Sequence, residues 1–215
     1  MTSTVPARSS ARSTYRHGDL RRALLESGVE LARAGGPEAV VLREATRRAG
    51  VVPNAAYRHF ASRQALLQAV RAAALAAVAR AMEAELAALA PTADAAEYAR
   101  ASVRAVGTGY LRFARAETGL FRTAFAAPVE VEGAPLDAKG GASGLNPFEL
   151  LGAALDRLVQ AGALPPERRP GAEFLAWSAV HGLALLVIDG PLRGLPTPQA
   201  ESLGQRLLDM VEKGL

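Results

Sequence analysis

Apolar residues recur at steps of three and four along nearly the whole chain, and no stretch shows sustained apolar and polar alternation. Because a helix repeats every 3.6 residues and a strand every two, this pattern predicts an all-α protein without a sheet. The first helical face comprises Leu20, Ala23, Leu24, Ser27, Leu31 and Ala32. We expect Asp19 to cap the start of this helix and Gly35-Gly36-Pro37 to end it.

Two short helices joined by a glycine are predicted next. The first, over about residues 42–49, stops at Gly50, because glycine adopts positive φ most readily. The second begins at Pro53, since proline is favoured in the first turn of a helix. Two short helices across a tight turn form a helix-turn-helix, whose second helix enters the major groove of DNA.

Longer helices are predicted for the remaining chain. An alanine-rich helix over about 65–90 keeps Leu75, Val78, Met82, Leu86 and Leu89 on one face and ends before Pro91. Further helices are expected at about 93–116, 118–125, 146–161, 168–188 and 198–213. Residues 126–144, rich in glycine, proline and small side chains, are predicted to form a mobile loop. Because the helix at 168–188 is apolar nearly all round, we expect the last two helices to pair with those of a second copy.

The basic residues are concentrated at the N-terminus. Residues 1–63 contain eleven arginines and five acidic residues, whereas the remaining chain is slightly acidic and the whole has a net charge of +4. This distribution favours a small nucleic-acid-binding module attached to a neutral or acidic domain. A solvated arginine-rich surface would give the same counts. Residues 1–14, with arginines and hydroxyls but no acid, are predicted to be a disordered basic tail.

The composition excludes several kinds of chemistry. The chain has no cysteine, so it has no disulfide, no thiolate metal site and no cysteine nucleophile. Its three histidines are far apart in sequence, and we expect no metal site, no cofactor and no enzymatic activity. The longest apolar run, residues 174–188, is shorter than the roughly 20 residues that cross a bilayer. We therefore predict a cytoplasmic protein that does not contact a membrane.

Two segments of the chain resemble a known family. RHGDLRRALLESGVELARAGG at residues 16–36 and LREATRRAGVVPNAAYRHFASRQALL at 42–67 are similar to the DNA-binding domain of tetracycline-repressor (TetR) type bacterial transcriptional regulators. The resemblance extends over about residues 15–70. AWSAVHGLALL at 176–186 resembles the Trp…His-Gly signature of one subgroup of C-terminal ligand domains, although an apolar core helix can contain the same residues.

The resemblance implies an architecture and a function. A three-helix DNA-binding domain would span residues 15–64, and a helical effector-binding and dimerisation domain would span 65–215. The protein would bind a palindromic double-stranded DNA operator as a homodimer, most simply as a repressor, and a small apolar effector would release it. A DNA-coating architectural or division-control protein with many sites is the alternative, and an enzyme is a more remote one.

The resemblance also implies roles for single residues in the predicted recognition helix, 53–60. Asn54 and Ala55 would face base edges, and Arg58 would reach a base or a phosphate. Tyr57 and His59 match positions that hold the sugar-phosphate backbone. The full expected DNA-binding set is Arg43, Pro53, Asn54, Ala55, Tyr57, Arg58, His59 and Arg63. For Arg43 a solvated role is as plausible as a phosphate contact, and Phe60 is expected to fill the core of the small domain.

Two positions depart from the family pattern. Val41 and Val52 stand where a serine or threonine usually caps a helix. A valine side chain cannot accept hydrogen bonds from the free N–H groups of the first turn, and such a loss costs about 1 kcal/mol. Thr46 stands where alanine is usual, and its hydroxyl can bond to its own helix.

The C-terminal half contains most of the aromatic residues. The expected effector-binding set is Tyr110, Phe113, Phe121, Phe125, Trp177 and His181. Such a concentration is typical of an apolar ligand pocket with a few polar groups, but it equally suits an ordinary hydrophobic core. The sequence does not identify the effector, the operator or the regulated gene.

Overall fold

A computed structural model describes residues 17–126 and 139–215 of the 215-residue chain. The α-helices of this part are α1 (His17–Gly35), α2 (Leu42–Arg48), α3 (Pro53–Ala56), α4 (Arg63–Ala87), α5 (Ala95–Ala116), α6 (Thr118–Phe125), α7 (Pro147–Gln160), α8 (Ala172–Ile188) and α9 (Thr197–Gly214). Short 3-10 helices lie at Pro37–Ala39 and Pro166–Arg168. No strand occurs in the described ranges, so the all-α prediction is confirmed. The predicted tail 1–14 and most of the predicted loop 126–144 lie outside the described residues.

Several helix ends follow from single residues. Gly50, between α2 and α3, has φ 68°, and Gly36, after α1, has φ 71°. Ser62 caps α4, because its Oγ accepts a hydrogen bond from Ala65 N at 3.1 Å. Asn146 caps α7, where its side chain and that of Glu149 form a reciprocal capping box. The boundaries predicted at these four points are confirmed to within a few residues.

Two predicted helix starts are wrong. Asp19 does not cap α1, because the helix begins two residues earlier, at His17. The helix predicted to start near residue 168 begins at Ala172 instead. The preceding residues form the separate 3-10 turn Pro166–Arg168, and Gly171 then adopts φ 77°, a conformation that interrupts a right-handed helix.

The long helix α4 lies at the centre of the fold and packs against α1, α5, α6 and α7. Its many small side chains allow close approach. A Cβ on Gly109 of α5 would lie 2.7 Å from the Cα of Met82 in α4, so only glycine fits there. One cluster of buried residues runs from Leu24 in α1 to Leu215 at the C-terminus. The predicted domain boundary at 64/65 falls inside the first turn of α4 and stays a prediction.

The helix α6 joins the N-terminal helices to the rest of the fold. A Cβ on Gly119 would overlap the carbonyl oxygens of Ala32 and Arg33 in the last turns of α1. Beside this contact, Arg33 Nε donates a hydrogen bond to Glu117 at 2.8 Å. Three residues after Gly119 along α6, Arg122 forms an ion pair with Asp189, the residue that follows α8. A shift of α6 therefore also displaces the end of α1.

The uncapped helix starts predicted from the sequence are present. Val41 and Val52 occupy the N-cap positions of α2 and α3 with extended backbones, and neither side chain accepts a capping hydrogen bond. Val52 is 69% exposed, so this valine contributes little to the core. Thr46 Oγ1 donates to Arg43 O at 2.6 Å, which confirms the predicted bond to its own helix.

Replacing Val52 with serine should stabilise the protein. Serine at this position can accept a hydrogen bond from an N–H group of the first turn of α3. We therefore expect the unfolding free energy of Val52→Ser to be about 1 kcal/mol higher than that of Val52→Ala. The alanine variant is the matched control, because it removes the same exposed methyl groups without supplying an acceptor. Urea unfolding of both variants checks the difference. Equal stabilities would show that these N–H groups already have partners.

Candidate functional site

The two short helices of the N-terminal region are held in a fixed arrangement. Gly50 forms the turn between them, and Val51 N donates to Thr46 O at 3.1 Å, which closes the end of α2. Ala56 and Phe60 are buried, so α3 and the turn after it pack against the core of the small domain. The expected core role of Phe60 is confirmed at 3% exposure. The helix-turn-helix geometry is therefore set by backbone hydrogen bonds and by buried side chains.

The predicted recognition helix is shorter than expected. Regular α-helix ends at Ala56, and residues 57–59 form a turn in which His59 N and Phe60 N both donate to Ala56 O at 2.9 Å. The backbone is extended at Ser62, φ −153°, which caps α4. The expectation of a helix over 53–60 is thus wrong in its C-terminal half.

The structure brings the main predicted DNA-contacting side chains to one surface. Asn54, Tyr57 and Arg58 are exposed, at spacings of three and four residues, and Tyr57 is 57% exposed. Ala55 and His59 are half-buried beside them. Pro53 begins α3. An amide, a phenol and a guanidinium on one exposed surface can bond to base edges and to phosphates.

The arginines of α2 and of the turn after α3 fall into two groups. Glu44 forms ion pairs with Arg47 at 2.7 Å and Arg48 at 3.2 Å, and the hydrogen bond from Arg47, followed by that from Arg48, lowers the pKa of Glu44 to about 2. Arg43 and Arg58 are exposed and have no ion-pair partner among the described residues. These two side chains are therefore the available cations next to the turn.

Arg63 has a structural role that the sequence did not indicate. Its guanidinium donates to Val40 O at 2.8 Å and to Pro37 O at 2.9 Å, and it also pairs with Glu38 at 3.3 Å. These bonds join the start of α4 to the 3-10 helix after α1. Its expected contact with DNA stays a prediction.

A cavity of about 430 Å³ lies among helices α4 to α9, a volume within the roughly 300–1,000 Å³ typical of ligand pockets. Of the expected effector-binding residues, Tyr110, Phe125 and Trp177 line it. Phe113 and Phe121 do not line it. Phe121 is fully buried behind the wall, with its ring edge-on to that of Tyr110 at 5.3 Å.

Other lining residues were missed from the sequence. They include Arg71, Leu75, Met82, Val103, Val106, Lys139, Phe148, Leu151 and Phe174. The apolar members occupy helix positions with the spacing of an ordinary core, so no sequence pattern separates a residue facing a cavity from one facing a neighbouring side chain. Two lining residues carry positive charge.

A hydrogen-bonded chain of three side chains stands at one end of the cavity. Trp177 Nε1 donates to Tyr110 Oη at 3.2 Å, and Tyr110 Oη lies 2.7 Å from His181 Nδ1. Burial raises the pKa of Tyr110 and lowers the pKa of His181, so both are neutral at pH 7. With the histidine proton on Nε2, Nδ1 accepts from the tyrosine hydroxyl, which in turn accepts from Trp177. His181 thus acts on the cavity through Tyr110.

The remaining site predictions concern membranes and metals. By length and composition α4 could cross a membrane, but 44% of the relevant window is buried inside the protein, as expected of a core helix. Within residues 17–126 and 139–215, no three histidine or acidic side chains come together as metal ligands.

Comparison with known proteins identifies the class and then the family. The profile described as "Bacterial regulatory proteins, tetR family" matches residues 24–70. The profile described as "Tetracyclin repressor-like, C-terminal domain" matches residues 103–211. A helix-turn-helix followed by a helical domain with a cavity is the architecture of a ligand-binding transcriptional regulator. The chain belongs to the TetR family of DNA-binding regulators.

Solved structures share this fold. A protein of unknown function from Rhodococcus sp. RHA1 is 26% identical, with 95% of this chain and 99% of that chain covered and a TM-score of 0.74. FadR from Bacillus subtilis, in complex with stearoyl-CoA, is 14% identical over 90% of this chain and 98% of its own, with a TM-score of 0.61. PfmR from Thermus thermophilus is 22% identical over 89% of this chain and 98% of its own, with a TM-score of 0.56. The search of curated proteins found no match.

The lowered pKa of His181 makes the stability of the protein depend on pH. Between its ordinary pKa of 6.5 and its lower value in the folded state, the unfolded chain binds a proton that the folded protein does not. Folding stability contributed by this group is therefore lost as the pH falls below about 6.5. In His181→Asn the amide oxygen can still accept from Tyr110 but does not titrate. Urea unfolding at pH 7.5, 6.5 and 5.5 should show a shallower loss for the variant, and parallel losses would contradict the assignment.

Proposed function

We propose that this protein is an effector-responsive transcriptional regulator that binds a palindromic DNA operator as a homodimer in the cytoplasm, most simply as a repressor. The observation that carries the proposal is the exposed surface of Asn54, Tyr57 and Arg58, presented by a rigid helix-turn-helix. A mainly apolar molecule in the cavity would release the DNA. No chemical reaction on that molecule is proposed.

The side chains of this surface would contact different parts of the DNA. The amide of Asn54, in the first turn of α3, can form hydrogen bonds with both the N6 amino group and the N7 atom of an adenine. Tyr57 and Arg58, in the turn after α3, would contact the sugar-phosphate backbone, and Arg58 also has the length to reach a guanine. Arg43 adds an exposed cation from α2. The DNA-binding set named from the sequence is retained in this proposal, with Arg63 contributing mainly through the contacts that position α4.

The route from the cavity to the DNA-binding helices is short. Phe125 lines the cavity at the end of α6, and Gly119 near the start of the same helix lies against the last turns of α1. Arg71 of α4 donates to Ala124 O at 3.1 Å, which ties α6 to α4 as well. A ligand that binds better to one position of α6 would shift the population of α1 and α4 arrangements, and thereby the spacing of the two recognition helices.

The surface of α8 is suited to dimerisation. Phe174, Leu175, Leu185 and Leu186 are 58%, 67%, 43% and 44% exposed and, with Gly182, they share one helical face. A Cβ on Gly182 would meet no other group, so a partner helix could approach closely at that point. A soluble monomer rarely exposes such a stripe, and pairing about a two-fold axis would cover it.

The Trp…His-Gly segment fits the same proposal. Trp177 and His181 both bond to the hydroxyl of Tyr110 at the cavity, while Gly182 lies on the exposed side of α8. Each member of the signature thus has a role in ligand binding or dimerisation. These roles support placing the chain in the subgroup with that signature.

Substitutions on the DNA-binding surface should have two distinct effects. On a DNA site selected by the wild-type protein, Asn54→Ala should lose about 1–3 kcal/mol and relax preference at one position, with little change on random DNA, because it removes a base contact. Tyr57→Phe should weaken binding to both DNAs alike, because phosphates are the same in every sequence. Fluorescence anisotropy with both duplexes measures the difference.

The matched control is Tyr98→Phe, which removes an exposed phenol from α5 and should leave DNA affinity unchanged. Circular dichroism shows whether each variant is folded. If a folded protein with Asn54, Tyr57 and Arg58 all replaced by alanine binds the selected site as the wild type does, the DNA-binding assignment is wrong.

A charged residue on the α8 stripe should separate the two subunits. Leu175→Glu would place a carboxylate in an apolar interface, so sedimentation at micromolar concentration should show a dimer for the wild type and a monomer for the variant. Tyr98→Glu introduces the same charge on α5 and should stay dimeric. A monomeric wild-type protein would contradict the proposal.

A further inference from the structure

The charged groups among the described residues that line the cavity are all of one sign. Among the described residues that line it, Arg71 and Lys139 are cationic, and none is acidic. The rest of the lining is apolar, apart from Asn146 and the hydroxyl and indole N–H of the chain that bonds to His181. An electroneutral apolar ligand would leave both cations at the wall of a low-dielectric space without a counter-charge.

Neither cation has a carboxylate partner in the described part of the chain. The Nε of Arg71 donates to Ala124 O. The two terminal nitrogens of its guanidinium remain available to donate to a ligand. Lys139 forms no ion pair there. Both residues are half-buried, so solvent compensates their charges less than it does on an open surface.

Two glutamates that bond to segments next to the lining residues Lys139 and Asn146 are already engaged. The Glu83 carboxylate accepts hydrogen bonds from Ala142 N at 2.7 Å and Ser143 N at 2.8 Å. Burial raises its pKa, but these bonds and the charge of Arg80 outweigh burial and lower it. Glu149 accepts from Asn146 N within the capping box of α7. These carboxylates therefore serve the fold and do not neutralise Arg71 or Lys139.

We propose that the effector is an amphipathic anion. Its apolar body would fill the part of the cavity lined by Val103, Val106, Leu151 and Val180, and its single carboxylate or similar anionic group would be balanced by Arg71 and Lys139. Charge-assisted hydrogen bonds to a guanidinium and an ammonium are stronger than neutral ones. This inference rests on the proposed function only in taking the cavity as the effector site.

A matched pair of ligands tests the proposal without DNA. Decanoate and decan-1-ol share the apolar chain and differ in charge. Trp177 is the only tryptophan of the chain and lines the cavity, so its fluorescence reports occupancy directly. We expect decanoate to bind the wild-type protein more tightly than decan-1-ol. In R71Q/K139Q the affinity for decanoate should fall about tenfold or more, while that for decan-1-ol changes less than about twofold.

The control variant R193Q/K213Q removes one exposed arginine and one exposed lysine outside the cavity. It should retain the preference for decanoate, which separates local pairing from a change in net charge. Equal affinities of the wild type for both ligands, or equal losses for both in R71Q/K139Q, would overturn the anionic effector but leave an apolar effector and DNA regulation intact. No tryptophan response to either ligand would also overturn it, while the DNA-binding assays would still decide the proposed function.

Discussion

The contact between α6 and the end of α1 is the constraint on which the rest of the structure depends. At Gly119 the backbone of α6 lies so close to the carbonyl oxygens of Ala32 and Arg33 that no side chain fits. The ion pair from Arg33 to Glu117 fixes the same junction from the side. Because packed backbones cannot slide past one another gradually, a displacement of α6 is passed to α1 as a change of position. The cavity is therefore connected to the DNA-binding domain through the packing of α6 against α1.

The cavity combines a packed aromatic wall with two cations that have no carboxylate partner among the described residues. On one side Phe121 and His181 lie behind Tyr110, whose Oη is 2.7 Å from His181 Nδ1, and the rings pack at centroid distances of 5.3 to 6.3 Å. On another side Arg71 holds α4 to the end of α6 and still has donors to offer. A molecule that bonds to Arg71 acts on the residue that ties α6 to α4. In the proposed account, effector binding and conformational coupling therefore share the side chain of Arg71.

The sequence predicted the features that depend on local chemistry. The short helix α6 was placed at residues 118–125, as observed, and Gly50 was assigned the turn between α2 and α3. It did not predict what depends on distant packing. The end of α3 at Ala56 was not predicted, and the bonds of Arg63 reach back to residues more than twenty positions earlier. Phe121 and Trp177 are both aromatic residues of apolar helices. Phe121 is buried behind the cavity wall, whereas Trp177 lines the cavity.

The most direct measurement is sequencing of the genomic DNA fragments that the purified protein retains from a sheared library at physiological salt. The account predicts a small number of enriched fragments that share a two-fold symmetric sequence, and the loss of that enrichment when Asn54, Tyr57 and Arg58 are replaced by alanine. Fragments retained in proportion to their abundance, without a shared sequence, would contradict operator recognition and favour a protein that coats DNA.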